Sequence, residues 1–146
     1  MTIRRVLIAN RGEIAVRIIR TCRRLGIGTV LAASEADRDS MPARLADRTL
    51  CIGPARSSYS YLKVDAILQA ALAAHADAIH PGYGFLSERP ALATACEENG
   101  VIFIGPTAAQ IASVGDKLQA RALAQAAAVP VVPGGNVESA ADAAAL

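Results

Sequence analysis

Residues 4–26 read RRVLIANRGEIAVRIIRTCRRLG, and this stretch decides the fold. Val6, Leu7, Ile8 and Ala9 run without polar alternation, the pattern of a strand buried on both faces as in a parallel sheet. Asn10-Arg11-Gly12-Glu13 then turns the chain. From Ile14 the apolar residues recur at Ile14, Ala15, Ile18, Ile19, Cys22 and Leu25, the stripe of an amphipathic helix, and Gly26 suits the position just past its end. The opposite face carries Arg17, Arg20 and Arg24. Two readings stand for those arginines: a solvated face, or a surface that seeks carboxylates on a partner subunit, since Arg is favoured at interfaces.

The same alternation continues downstream. Residues 29–34 read as a second strand, 35–39 as a polar turn, 40–46 as a short helix and 49–52 as a third strand ended by Gly53-Pro54. A loop at 57–60 feeds a helix over 61–74 with Val64, Ile67, Leu68, Ala71 and Leu72 inside. A fourth strand at 76–80, a helix at 90–99 with Ala91, Leu92, Ala95 and Cys96 inside, and a fifth strand at 101–104 follow. Strands alternating with helices imply right-handed crossovers and an α/β fold with a doubly wound parallel sheet. Ligands of such sheets bind at the carboxyl ends of the strands. The loops at 10–13 and 80–88 both fall on that rim.

The second of these loops is the more informative. Residues 79–90 read IHPGYGFLSERP, with Gly82 and Gly84 bracketing Tyr83 and a Ser87-Glu88 pair that could open a helix. Glycines there permit close approach of a backbone or a small molecule, and the tyrosine ring between them can present a flat face to a flat ligand. The alternative is a strand-to-helix turn in which Tyr83 and Phe85 fill the core. Beyond Gly105-Pro106 the chain turns to Ala-rich helices at 107–114 and 117–127, broken at Gly115-Asp116. An extended piece and turn occupy 129–135, and Ser139-Ala140-Ala141-Asp142 resembles a capping box opening a helix that runs into Leu146. The domain boundary is accordingly expected between residues 114 and 115, with 115–146 the start of a second domain.

Composition narrows the function. The 146 residues are 53% hydrophobic, enough for a core of about one domain. A net charge of +2, from 15 basic and 13 acidic residues, and only three tyrosines and two phenylalanines argue against a nucleic-acid module. No apolar run approaches the ~20 residues of a spanning helix, so a soluble, cytoplasmic protein without a membrane partner is expected. Cys22, Cys51 and Cys96 are widely spaced and read as buried free thiols. The loop at 10–13 occupies the place of a dinucleotide fingerprint but lacks G-x-G-x-x-G, which counts against a nicotinamide dehydrogenase. His80 reads as hydrogen-bonded rather than metal-ligating, because no acidic or thiol cluster accompanies it, and no metal site is expected. Lys117 falls in the first turn of its helix, where a cation gains from an anion; phosphate binding and simple solvation both remain open. Nothing visible completes a catalytic constellation.

Read together, VLIANRGEIAVRIIRTCRRLGI, SEADRDS, LADRTLCIGP, SYL, DAIHPGYGFLSE, FIGPTAAQI and GDK resemble the amino-terminal region of biotin carboxylase, in register over about residues 3–134. The resemblance implies a Rossmann-like amino-terminal domain, preceding an ATP-grasp lid whose start is residues 115–146. It implies an ATP-dependent ligase that activates bicarbonate with ATP and Mg²⁺ and carboxylates biotin on a carrier protein or domain, for a carboxyltransferase that serves acetyl-, propionyl- or methylcrotonyl-CoA, pyruvate or urea. Carried over by position, Tyr83 and Gly84 face the biotin ring, Glu88 steadies the loop, and Lys117 contacts ATP. Arg17 and Arg20 match a homodimer interface, whereas Arg24 stands where many relatives carry an acid, and SERP replaces the more usual SEN. The magnesium carboxylates have no counterpart in these 146 residues, which are expected to be inactive alone. A non-catalytic binding or scaffold module of the same fold is the competing expectation.

Overall fold

The computed structural model describes residues 2–132; the turn expected at 133–135 and the helix expected from Ser139 lie outside them. Five strands form one parallel sheet: β1 (Arg5–Ile8), β2 (Gly28–Ala33), β3 (Arg48–Cys51), β4 (Ala78–His80) and β5 (Ile102–Phe103), in the order β3-β2-β1-β4-β5. Chain order reverses at β1, whose neighbours β2 and β4 lead outward in opposite directions. The doubly wound α/β sheet is therefore as the sequence pattern requires, and its crevice opens between the loops that leave β1 and β4.

The helices are α1 (Gly12–Arg24), α2 (Met41–Leu45), α3 (Val64–Ala73), α4 (Pro90–Glu98), α5 (Ala108–Gly115) and α6 (Lys117–Ala126). Helix α1 is rich in β-branched residues, each costing about 0.5 kcal/mol in helix propensity. Full burial of an aliphatic side chain returns roughly 1.5–3 kcal/mol. Packing therefore wins: Val16 is buried, and Ala15, Ile18, Ile19 and Cys22 are buried in one cluster with Val6, Ile8, Leu31, Ala33 and Ala78. The other face of the sheet carries Leu7, Ala9, Val30, Ala32 and Ile79 against Ile67, Leu68 and Ala71 of α3 and Leu92 and Cys96 of α4. Period-two alternation along continuous apolar strands thus feeds both layers.

Three apolar residues depart from the expected pattern. Leu25 is 67% exposed because α1 has already ended and its backbone serves as the cap. Leu72 sits at the rim of its stripe, 36% exposed, and α4 buries Ala93 rather than Ala91. Cys22 and Cys96 are buried thiols as expected, Cys96 pushed up to about 11 by burial, but Cys51 is exposed because it ends the edge strand β3. The chain divides into two compact units, Met1–Ile111 with the sheet, and Ala112–Leu146. No helix among the described residues is long and apolar enough to cross a membrane.

Carboxylates hold the amino-terminal edge of the sheet, opposite the crevice. Asp77 accepts from the backbone N–H groups of Arg4 and Arg5, each at 2.8 Å, at the entry to β1. Asp47 accepts from the N–H of Thr29 at 2.7 Å and from its hydroxyl at 2.8 Å, at the entry to β2. These hydrogen bonds hold both carboxyls below their ordinary range. A depressed folded-state value contributes stability above the unfolded value, about 3.9, and that stability is lost as pH falls through the folded value. Asp77→Asn is accordingly expected to lower the urea midpoint at pH 7, with the difference from the parent shrinking towards pH 2. A difference that stayed constant across that range would show that the Asp77 charge plays no part.

Candidate functional site at the β1–β4 crevice

The site is organised by Asn10, which leaves β1 with only 1% of its surface exposed. Its amide Nδ2 donates to the carbonyl of Pro81 at 2.7 Å and to that of Tyr83 at 2.9 Å, while Oδ1 accepts from the N–H of Arg11 at 2.9 Å. Both protons and the carbonyl of the amide are thereby used, and the loop after β4 is bound to the loop after β1. Gly82 fits beneath this clamp: a Cβ there would lie 2.7 Å from Ile14 Cγ2 and 2.8 Å from Asn10 Nδ2. At Gly84 the backbone takes φ 68° and ψ −168°, a conformation left almost wholly to glycine.

Between these glycines Tyr83 is 62% exposed, and its hydroxyl donates to Glu13 Oε1 in the first turn of α1. That bond to Glu13 raises the Tyr83 phenol above its usual range. The ring lies on the rim, tied at its backbone by Asn10 and at its tip by Glu13. Phe85 turns inward and stacks on Tyr61, so the two alternatives for these aromatics divide between them: Tyr83 faces out and Phe85 packs on the core. Residues 85–88 form a 3-10 turn instead of opening a helix, and Ser87 donates from Oγ to the Gly84 carbonyl at 2.7 Å. Glu88 is exposed and has no hydrogen bond or ion pair among the described residues.

His80 closes the floor. Its Nδ1 accepts from the N–H of Gly82 at 3.0 Å, which places the ring proton on Nε2, and burial holds it below the usual imidazole range. The hydrogen-bonded role expected of this histidine is the one observed. Ile14, Arg17, Ile18, His80, Gly82 and Tyr83 line a cavity of about 290 Å³ beside α1. Ile14 and Ile18 give it an apolar wall, with the His80 imidazole at the floor, a guanidinium on one side and the Tyr83 ring at its mouth, a combination suited to a small ligand with a flat polar body. Arg17, Arg20, Arg23 and Arg24 are all exposed along α1; Arg23 donates to the Leu45 carbonyl, and Arg24 reaches Thr21 Oγ1 at 3.4 Å. No group of three or more His, Cys, Asp or Glu residues that could hold a metal occurs among the described residues.

In the second unit, Lys117 is exposed and opens α6. Asp116 caps that helix, its side chain accepting from the N–H groups of Leu118 and Gln119, each at 2.9 Å. An anion brought here would meet the ammonium of Lys117 rather than those two amides, so the attraction rests on the side chain more than on the helix end. Sequence reasoning passed over Asn10, Asp37 and Tyr61. Only their position after strands, or before a helix, could have singled them out. Asn10→Asp is expected to set a carboxylate against the carbonyls of Pro81 and Tyr83 and to cost about 3 kcal/mol or more in urea unfolding. A loss below about 1 kcal/mol would mean the clamp is dispensable.

The family model described as "Biotin carboxylase, N-terminal domain" matches residues 2–111. Biotin carboxylase 2 of Bacillus subtilis is 52% identical over 141 residues, covering 93% of this chain and 32% of that protein. The biotin carboxylase of Allochromatium vinosum is 56% identical over 134 residues, covering 92% and 30%. Among solved structures, the biotin carboxylase domain dimer of Hydrogenobacter thermophilus 2-oxoglutarate carboxylase, in complex with MgADP and bicarbonate, superposes with a TM-score of 0.86 at 43% identity over 92% of this chain and 30% of that one. The chain spans about a third of the length of these relatives. By sequence, by the Rossmann-like sheet and by the loop that carries Tyr83, it belongs to the biotin carboxylase amino-terminal domain family.

Proposed function

We propose that this chain forms the biotin-facing side of a biotin carboxylase, a ligase in which ATP activates bicarbonate and the carboxyl group passes to biotin on a carrier protein or domain. The observation that carries the reading is the loop at 81–88, clamped by Asn10 so that Gly82 and Tyr83 line the cavity beside α1, with Gly84 next in the chain. In this reading Tyr83 and Gly84 bound the biotin ring, and Glu88 lies on the solvent side of the same loop. Lys117 supplies a positive charge for the ATP phosphates, a role its exposed place at the start of α6 permits. ATP and Mg²⁺ would supply the activating phosphoryl group and its charge neutralisation. The chain's own contribution is to present Lys117 to the nucleotide and to hold the biotin loop, with the metal carboxylates furnished by a longer polypeptide.

The same reading takes 1–114 as the Rossmann-like domain and 115–146 as the start of the ATP-grasp lid region. Arg17, Arg20 and Arg24 form a face for a second subunit, an arrangement supported by the dimer formed by the Hydrogenobacter domain. A carboxyltransferase would take the carboxyl group onward in the cytoplasm, to fatty acid biosynthesis where the acceptor is acetyl-CoA. The exposed arginines of α1 also favour a second reading, a non-catalytic module that docks on an acidic partner.

Phosphate release from MgATP, measured with bicarbonate and free biotin, separates the two. The 146-residue chain is expected to be inactive, and a polypeptide extended through lid and carboxyl-terminal domains to turn over with biotin stimulation. Lys117→Ala in that longer polypeptide is expected to slow release at least about tenfold, ~1.4 kcal/mol of lost stabilisation. An extended protein that folds, binds ATP and shows no biotin-stimulated release overturns the carboxylase reading in favour of the docking module.

A further inference from the structure

We infer that Asp37 acts through Tyr61 and Phe85 as the positioning group for the loop at 81–88, an inference that takes from the preceding section the reading of that loop as the one facing biotin. Asp37 lies on the 3-10 turn Glu35–Asp37 that follows β2, and it is buried. Its Oδ1 accepts from Arg11 Nη2 at 2.9 Å, reaching the loop after β1. Its Oδ2 accepts from the hydroxyl of Tyr61 at 2.8 Å and from Ser34 Oγ at 3.0 Å. One carboxylate therefore joins the exits of β1 and β2 to the segment that enters α3.

Tyr61 carries the connection to the fourth strand. It is 2% exposed, and its hydroxyl, donating to Asp37, also accepts from the N–H of Ser34 at 3.0 Å. With the hydroxyl bonded as donor and as acceptor, the ring has a fixed tilt. That ring stacks on Phe85 with centroids 5.1 Å apart and planes 12° from parallel. Phe85 has φ 47°, a left-handed conformation that costs a non-glycine residue roughly 1–2 kcal/mol and persists only where its surroundings impose it. The stack is such a surrounding, and the residue it holds directly follows Gly84. Asn10 grips the loop from the β1 side at Pro81 and Tyr83, and the Asp37–Tyr61–Phe85 chain grips it one residue past Gly84. Asp37 touches no ligand in this arrangement; it sets where Gly84 stands.

Tyr61→Phe removes the hydroxyl and keeps the ring. In the 146-residue chain, hydrogen exchange of the Ser87 amide, which bonds the Gly84 carbonyl at 3.0 Å, is expected to speed up about tenfold relative to the amides of α3. Phe85→Leu, which leaves the Asp37 hydrogen bonds in place, is expected to do the same, so the test survives if one variant fails to fold. Asp47→Asn, which weakens the amino-terminal edge of the sheet at the entry to β2, away from β4 and its loop, is the control and is expected to move Ser87 only with global stability. In the extended polypeptide, Tyr61→Phe and Asp37→Asn are expected to raise KM for biotin about tenfold while KM for ATP changes less than about twofold, a split that loss of stability alone does not produce. Ser87 exchange that merely follows global unfolding, or a KM rise equalled by Asp47→Asn, overturns the inference. An unmutated extended protein without biotin-dependent turnover instead overturns the biotin reading, and the exchange experiment still decides the positioning role.

Discussion

The site depends on the buried amide of Asn10. A parallel sheet brings the exits of β1 and β4 side by side, but adjacency alone leaves two carbonyls of the β4 loop facing the β1 exit without donors. Pro81 provides no N–H, and the Pro81 and Tyr83 carbonyls both point at the β1 exit. An amide side chain answers this with two donors on one nitrogen and an acceptor for the N–H of Arg11. A carboxylate of the same size would repel both carbonyls, and an aliphatic group would leave three polar groups without partners. The close fit of Gly82 against Asn10 and Ile14 follows from the same clamp.

The exposed side chains of the rim lie outside this frame. The Tyr83 ring stands on the rim, its hydroxyl tied to Glu13, and Arg17 of α1 lines the same cavity. Tyr83 is thus carried by a loop whose backbone is held from below, an arrangement that gives a glycine-rich sequence a defined pose. His80 belongs to the frame rather than to the exposed surface, since its imidazole is committed to the N–H of Gly82.

What the sequence disclosed was the layer structure. Short continuous apolar runs such as Val6-Leu7-Ile8-Ala9 read as strands covered on both sides, and their alternation with helical stripes pointed to one topology class. The two suspect loops were placed on one rim by that logic alone. Family motifs then singled out Tyr83, Gly84, Glu88 and Lys117. Hidden from the sequence were the polar residues that hold the rim together. Asp37 sits in the run Glu35-Ala36-Asp37-Arg38-Asp39, which has the composition of a solvated turn, and only its three-dimensional neighbours Arg11, Ser34 and Tyr61 make it a buried acceptor. Tyr61 reads equally well as the start of a helix, and Leu25 as the end of one, because a stripe of period 3.6 does not mark where the backbone stops being helical.

The clamp formed by Asp77 has a consequence for strand β4, which at three residues is only about 10 Å long. So short a strand has few ladder hydrogen bonds with which to resist sliding against β1. A slip of one residue would exchange the faces of Ile79 and His80, driving an imidazole into the aliphatic layer beneath α3 and α4 and turning an isoleucine towards the cavity. Asp77 at its entry and Asn10 at its exit fix the strand at both ends. The register of β4, and with it the side of the sheet from which Tyr83 emerges, is set by two polar side chains that belong to neither a helix nor a strand.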